Sequence, residues 1–439
     1  MGKKRRRGIS FGTIFMLAVT LCVIGGLAVV LPQLRGGKDV AVDTTQVLSA
    51  LNLGGLPKLS LSEIPIQGTT VASAAPTARP AATPAPTMAP ERTEPTPPKA
   101  GGSFTLTLGG SVLVQNAVRK SAYYSDAKQY DFTEVLALLA PSMQADLSLV
   151  TLENLIYPEA KLSDTVTTEQ VVPMLTTAGV DAVALGFPNV YDQGLAGLTS
   201  TVNALRGKGL AVVGAFTEQE ENITLMTLDN VKVAVLHYTD ALSSNGKKKM
   251  KKEAADYAVP LAEAEAIAGD IARVRQAGAQ VVLVSLNWGS SGKSAATKAQ
   301  KELAQAIADA GADIIIGAGS EVVQPVVWLD AADGRRTLCA YSLGCLISDS
   351  RKNANVAGLL LRLKLSVDAA GKLSFDVVAG TPTYIWRYKQ DGQYNYRVLP
   401  SNELPPDGMG EDQISSMTRA LKTIQTALGE DTPVKLMGE

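Results

Sequence analysis

Side chains able to do acid–base, nucleophilic or metal chemistry are few in this chain of 439 residues, which has one histidine and three cysteines. Three carboxylates, Glu153, Asp192 and Glu321, follow short apolar runs. Two carboxylates facing across a cleft can hydrolyse a glycosidic bond without metal, one as acid and the other as base or nucleophile. Structural roles compete. Asp192, just before Gly194, is placed to cap a following helix, and Glu153 to hold its loop by accepting backbone N–H groups. Those structural roles are the expectation for both. His237, inside VKVAVLHY, could act as a general base, but an imidazole set among apolar residues at a strand end is expected to be a hydrogen-bonded structural group. Trp288 has two readings of equal standing, an aromatic face for a sugar or a packing residue. Lys247, Lys248, Lys249, Lys251 and Lys252 could recruit a polyanion, although a solvated loop is expected. Cys339 and Cys345 lie too close along a strand and turn to bridge, and are expected to be small buried packers. The cysteines give no disulfide framework and no thiolate metal site.

The elements that must position these groups centre on residues 281–323. Val281 to Leu286 is a β-branched apolar run suited to a buried strand. A polar loop, Asn287 to Ser294, leads into a helix with Ala299, Leu303, Ile307 and Ala310 on one face and Gly311 as its stop. The next strand runs from Asp313 to Gly317. Strand, helix, strand in this space is a right-handed crossover, with ligand-binding loops after the strand carboxyl ends. Those loops are Asn287-Trp288-Gly289 and Ala318-Gly319-Ser320-Glu321. Further strands are predicted at Phe104–Leu108, ending in the loop Gly109-Gly110-Ser111, and at Leu147–Leu152, Ala182–Leu185, Ala211–Val213 and Val231–His237. Helices are predicted at Phe132–Leu139, Val171–Thr177 and Leu195–Gly207. The alternation makes the domain α/β. After Cys345, strands at Gly358–Val367 and Leu373–Val378 are expected to extend the second sheet, and Glu411–Leu428 has the apolar spacing of a helix docked on its own domain.

The order of the blocks from about Phe104 to Ser348 resembles the bacterial CapA-type capsule-synthesis family, associated with poly-gamma-glutamate, whose domain is similar to calcineurin-like metallophosphoesterases. DLSLVTLENLIYP, residues 146–158, is similar to the family's D-L-x-x-x-N-L-E-x-P. Residues 179–194 resemble A-G-F-D-x-x-x-x-A-N-N-H-x-x-D-x-G, Asn287-Trp288-Gly289 resembles H-W-G, residues 311–322 resemble G-A-D-x-x-x-G-H-H-P-H-V, and Tyr341-Ser342-Leu343-Gly344 matches Y-S-L-G. The resemblance implies a calcineurin-like metallophosphoesterase-type sandwich of two mixed sheets flanked by helices.

It also implies a metal centre, and here the chain departs from the pattern. Gly109 is followed by Gly110 where the family has Gly-Asp. Asn189 and Asn287 stand at histidine positions, and the H-H-P-H run reads Ala318-Gly319-Ser320-Glu321. A two-metal hydrolytic site needs several nitrogen and carboxylate ligands, and Glu153, Asp192 and Glu321 do not replace that set. No metal and no cofactor is therefore expected, and no catalytic residue is assigned. The expected ligand cleft comprises Gly110, Glu153, Asn189, Asp192, Asn287, Trp288, Ser320 and Glu321, with Glu321 assigned to it because it replaces a family histidine.

The N-terminus predicts topology. Lys3 to Arg7 precede an uncharged stretch from Gly8 to Leu34, longer than the roughly 20 residues that span a bilayer. The basic flank should stay cytoplasmic. A cleaved signal peptide is the rival reading, but no small-x-small site follows closely, and Leu21 before Cys22 is too bulky for a lipoprotein signal. The expected organisation is a cytoplasmic head (1–8), a transmembrane signal anchor (9–31), an extracytoplasmic linker (32–102), an α/β domain (103–398) and a C-terminal connector and helix (399–439). Residues 68–100, dominated by Pro, Ala and Thr, favour disordered, extended polyproline II and could reach on the order of 100 Å. A flexible linker and a glycosylated stalk both fit that composition. The net charge of −1 gives no support to nucleic-acid binding, and no nucleic-acid partner is expected. The expectation is a membrane-anchored, metal-free pseudoenzyme that binds or scaffolds an envelope glycan, polymer or protein during capsule synthesis or export. The competing expectation is an active hydrolase or transferase using replacement ligands or a carboxylate pair.

Overall fold

Unbroken apolar runs become strands only where both faces of a sheet are covered, and the fold supplies that cover. The computed structural model describes residues 101–219, 224–352, 354–390 and 392–437. The first sheet takes β1 (Gly102–Val112), β2 (Leu147–Leu152), β3 (Ala182–Ala184) and β4 (Ala211–Val213). The second takes β5 (Thr224–Leu228), β6 (Val231–Thr239), β7 (Val281–Asn287), β8 (Ile314–Ala318), β9 (Val326–Asp330) and β10 (Arg336–Ala340). The chain then returns to the first sheet as β11 (Ala357–Val367), β12 (Leu373–Gln390) and β13 (Gln393–Pro400). The orders are β13-β12-β11-β1-β2-β3-β4 and β9-β10-β8-β7-β6-β5.

Alternation along β7 divides the core. Val281 and Leu283 point between the sheets, into a cluster with Leu106, Leu149, Val233 and Ile314. Val282, Val284 and Leu286 point outward, against Ile267, Ile271 and Ile307. Those isoleucines come from helices Ala264–Gln276 and Lys298–Asp309, the second started by a capping box of Thr297 and Gln300. The outer face of the first sheet is covered by a third cluster, which includes Phe132, Leu175 and Leu198. Buried residues Met417, Ala420, Ile424 and Leu428 dock the helix Glu411–Leu428 into the cluster between the sheets.

Four sequence expectations are corrected. Gly109 and Gly110 form no loop: they lie inside β1, at a register shift between Leu108 and Ser111. A Cβ on Gly110 would stand 2.0 Å from Gly344 O, so glycine is needed for the close crossing of these two backbones. The strands after Cys345 extend the first sheet, because β11 pairs antiparallel with β1 from Gly102↔Val367 to Leu108↔Leu361. The lysine cluster is no loop but a helix, Ser244–Glu253, whose Ser243 cap accepts from Gly246 N at 2.9 Å. Asp192 does not cap the helix Gly194–Arg206; Glu253 reaches its first turn instead and accepts from Leu195 N at 2.8 Å.

The expected anchor at 9–31, and the linker apart from its last two residues, lie outside the described residues. Among the described residues no helix is long and apolar enough to cross a membrane.

Candidate functional site

Parallel strands β1, β2 and β3 of one sheet and β6, β7 and β8 of the other end at the same edge of the sandwich as the candidate loops. There Glu153 leaves β2 with its amide on Val112 O at 3.0 Å. Its Oε1 accepts two hydrogen bonds, from Ser111 Oγ at 2.5 Å and from Asn287 Nδ2 at 3.0 Å. The expected backbone donors to this carboxylate are replaced by side-chain donors, one from each sheet. Burial pushes Glu153 up from 4.5 to about 7, against the two hydrogen bonds that favour its anion. The nearby charge of Glu321 pushes the same way.

Asn287 is 2 % exposed, and its main-chain carbonyl accepts from Asp240 N at 2.9 Å. Asp240 in turn accepts from Gly289 N at 3.0 Å. Glu321 sits at φ +61° and accepts from Asn355 Nδ2 at 3.0 Å. A non-glycine residue in this left-handed region is uncommon and marks a constrained turn. Cys345 pairs with Ser111 across adjacent strands. Burial, with Glu153 and Glu321 nearby, holds its thiol well above the ordinary range, so it is an inert packer rather than a nucleophile.

The structure brings together Ser111, Glu153 and Asn287, with Glu321 near enough for its charge to be felt. The other expected cleft residues are spent elsewhere. Gly110 contributes only a close backbone crossing. Asn189 donates to Asp192 Oδ2 at 2.7 Å, and Ser243 Oγ donates to Asp192 Oδ1, so this pair ties two loops together and bonds neither Glu153 nor Asn287. Ser320 is buried and donates to Val322 O at 2.9 Å within its own turn. Trp288 offers no aromatic face to a cleft: it is 2 % exposed, its Nε1 donates to Tyr341 O at 2.8 Å, and its ring stacks on Tyr341 at 6.1 Å. The strand alternation that turns Asn287 toward Glu153 turns Trp288 into the outer core.

His237 is buried with Nε2 3.0 Å from Gly186 O and Nδ1 2.9 Å from Ser285 Oγ. A carbonyl can only accept, so Nε2 carries the proton and Ser285 donates to Nδ1. Burial lowers this imidazole from 6.5 to about 4, making it the neutral structural group expected at a strand end.

Sequence reasoning missed Ser111 and Asn355. Ser111 had a readable signal: Gly110-Ser111 is a second way to register the Gly-Asp block, and of these two residues Ser111 is the one that bonds Glu153. Asn355 lies outside every block and carried none.

The donors present do not fit a two-metal centre. Ser111 and Asn287 both direct hydrogens at Glu153 Oε1, and both are neutral where a metal centre wants imidazole or carboxylate ligands. Among the described residues no group of three or more His, Cys, Asp or Glu side chains is arranged to hold a metal ion.

A profile for the family described as bacterial capsule synthesis protein PGA_cap matches residues 105–350. The "PGA biosynthesis protein CapA" of Bacillus subtilis is 26 % identical over 200 residues, which are 44 % of this chain and 50 % of that protein. The "Capsule biosynthesis protein CapA" of Bacillus anthracis is 27 % identical over 186 residues, 41 % and 43 % of the two chains. The chain thus spans about half the length of the curated relatives it matches. Among solved structures, the calcineurin-like phosphoesterase YfkN of Bacillus subtilis is 14 % identical and covers 74 % of this chain and 97 % of its own, with a TM-score of 0.39. The profile match extends from β1 through the turn beyond Cys345 and includes every strand end that builds the Glu153 cluster; the chain belongs to the bacterial capsule synthesis protein family.

Proposed function

We propose that this protein is a membrane-tethered, extracytoplasmic pseudoenzyme that binds or scaffolds during synthesis or export of a capsule or related envelope polymer. The observation that carries this reading is the engagement of Glu153 Oε1 by two neutral side-chain donors. Its hydrogen bonds come from Ser111 and Asn287, and its burial favours the neutral acid, so the carboxylate is poorly suited to hold a cation. Family membership and the curated relatives support the assignment to capsule polymer synthesis. Elemental analysis of protein purified without a histidine tag is expected to find substoichiometric manganese, iron and zinc. A phosphoesterase and glycosidase screen of the same sample is expected to find no turnover. A tightly held equivalent of metal, or activity abolished by chelation, would sink the proposal.

One observation favours a second reading. Glu153 lies near Glu321 and has a pKa near neutrality, a combination that can divide acid and base roles in metal-free hydrolysis. Turnover insensitive to chelator but lost in Glu153→Gln would select it.

The topology rests on the basic head at Lys3 to Arg7 and the apolar span that follows. Protease added to intact, wall-stripped cells is expected to cut within residues 68–100 and release the folded domain. Protection of that segment would place the domain in the cytoplasm.

A further inference from the structure

A second site lies away from the Glu153 cluster, where two hairpins meet. One is the short pair Tyr123–Tyr124 and Gln129–Tyr130, with Tyr123↔Tyr130 and Tyr124↔Gln129 in register. The other is the tip of β12 and β13, which closes at Gln390↔Gln393. Because β11 begins at Ala357 opposite Tyr384, β12 runs six residues further and carries this tip beyond the edge of the sheet. That edge is the one at which β1 ends, so the second site opens at the same end of the sandwich as Glu153.

Between the hairpins is a cavity of about 280 Å³ lined by Tyr123, Tyr124, Gln390, Gln393 and Asn395. The tyrosines are 39 % and 55 % exposed. Tyr123 does not hang free. Its ring lies 5.0 Å from that of Tyr130, which stacks at 6.0 Å on the fully buried Phe132. Tyr123 is thereby anchored to the core before any ligand arrives, and the Tyr124 backbone is held beside it by its pairing with Gln129. The opposite wall is made of amides. Gln393 is steadied by a hydrogen bond from Nε2 to Lys120 O at 3.2 Å, and Asn395 by one from Nδ2 to Gln393 O at 3.4 Å. Both keep their side-chain oxygens and a second amide hydrogen for a ligand.

The electrostatics narrow the ligand. Among the described residues no lysine or arginine lines the cavity, and Asp126 is the one carboxylate lining it, accepting from Ser125 Oγ at 3.2 Å. An acidic polymer gains no ion pair here and meets a negative charge. A neutral pyranose suits it on both counts: its C–H face covers an aromatic ring, and its hydroxyls, each donor and acceptor, match amide groups that are both. The volume suits one ring, lying just below the roughly 300 Å³ at which small-molecule sites begin. We propose that this cavity is a carbohydrate subsite that holds one ring of a neutral glycan, with Tyr124 as stacking platform and Gln390, Gln393 and Asn395 reading hydroxyls. The proposal does not depend on the metal status of Glu153, so the two stand or fall separately.

Binding is to be measured on the full chain, in a detergent without a sugar headgroup, with triacetylchitotriose and maltotriose as neutral probes and poly-gamma-glutamate as the charged one. At least one neutral probe is expected to bind, with affinity unchanged between low and high salt, as an uncharged contact requires. Tyr124→Ala is expected to weaken it about tenfold, and Tyr124→Phe to retain it within about twofold. Because Tyr124 is more than half exposed, loss of folding is not expected, and an unchanged thermal midpoint verifies that. Gln393→Ala should weaken binding as well, while Lys248→Ala, on the separate lysine helix, should leave it intact. The proposal is overturned if neither neutral probe binds, if Tyr124→Ala leaves binding unchanged, or if poly-gamma-glutamate competes for this cavity.

Discussion

Glu153→Gln is expected to stabilise the protein by up to about 3 kcal/mol at pH 8 and to change its stability little at pH 4. The folded protein holds this carboxyl at about 7 instead of 4.5. Below 4.5 the acid is protonated whether the chain is folded or not, and no difference arises. Between 4.5 and about 7 the unfolded chain releases its proton while the native state keeps it, so stability falls as pH rises, and it levels off above 7. Gln at this position can still accept from Ser111 and Asn287, and it has no charge to desolvate. His237 works in the opposite direction. Its imidazole is lowered from 6.5 to about 4, so its contribution is present above 6.5 and lost as pH falls toward 4. In the wild-type protein the two windows overlap and largely cancel. Removing Glu153 should expose the His237 slope, a fall in stability from pH 6.5 to 4. Urea unfolding at a series of pH values measures both. A variant whose stability parallels wild type from pH 4 to 8 would show that Glu153 is ionised normally.

Trp288→Ala is expected to cost about 3–5 kcal/mol of stability, making it a packing mutation and not a binding one. The side chain is 2 % exposed within the outer core of the second sheet. Its removal leaves a cavity and strands the Tyr341 carbonyl that accepts from Nε1. The backbone leaves no room for adjustment. A Cβ on Gly317 would stand 1.9 Å from Tyr341 O and 2.4 Å from Trp288 Nε1, so the indole and two chain segments are closely fitted. Trp288→Phe keeps most of the apolar volume and loses the hydrogen bond, for an expected cost of about 1–2 kcal/mol plus a smaller cavity. Denaturant midpoints for the two variants separate packing from hydrogen bonding. Near-native stability in Trp288→Ala would return the indole to the list of ligand contacts.

Both predictions concern residues whose chemical type was plain in the sequence and whose role was not. Local periodicity was sufficient for Val281–Asn287, Lys298–Asp309 and Glu411–Leu428, because alternating burial and one apolar helix face are set by residues a few positions apart. Block order was sufficient for the family. Asn189, Asn287 and Glu321 could be read as departures from its pattern, since those blocks sit on strand ends that the crossover topology gathers at one edge. The membership of β11 to β13 in the first sheet was not legible, because pairing with β1 is chosen across more than 250 residues of chain. Nor was the direction of Trp288, one position along from Asn287 on the other face of the pleat. The Glu153 bonds join residues 42 and 134 positions apart, and burial is what raises the carboxyl toward neutrality. Residue types and short-range spacing thus determined most of the strands, the helices Lys298–Asp309 and Glu411–Leu428, and the absence of the imidazole set, but not the helices Ser244–Glu253 and Ala264–Gln276. Which donors meet Glu153, which aromatic groups remain exposed, and where amides gather beside Tyr124 were decided by long-range register, which no local pattern encodes.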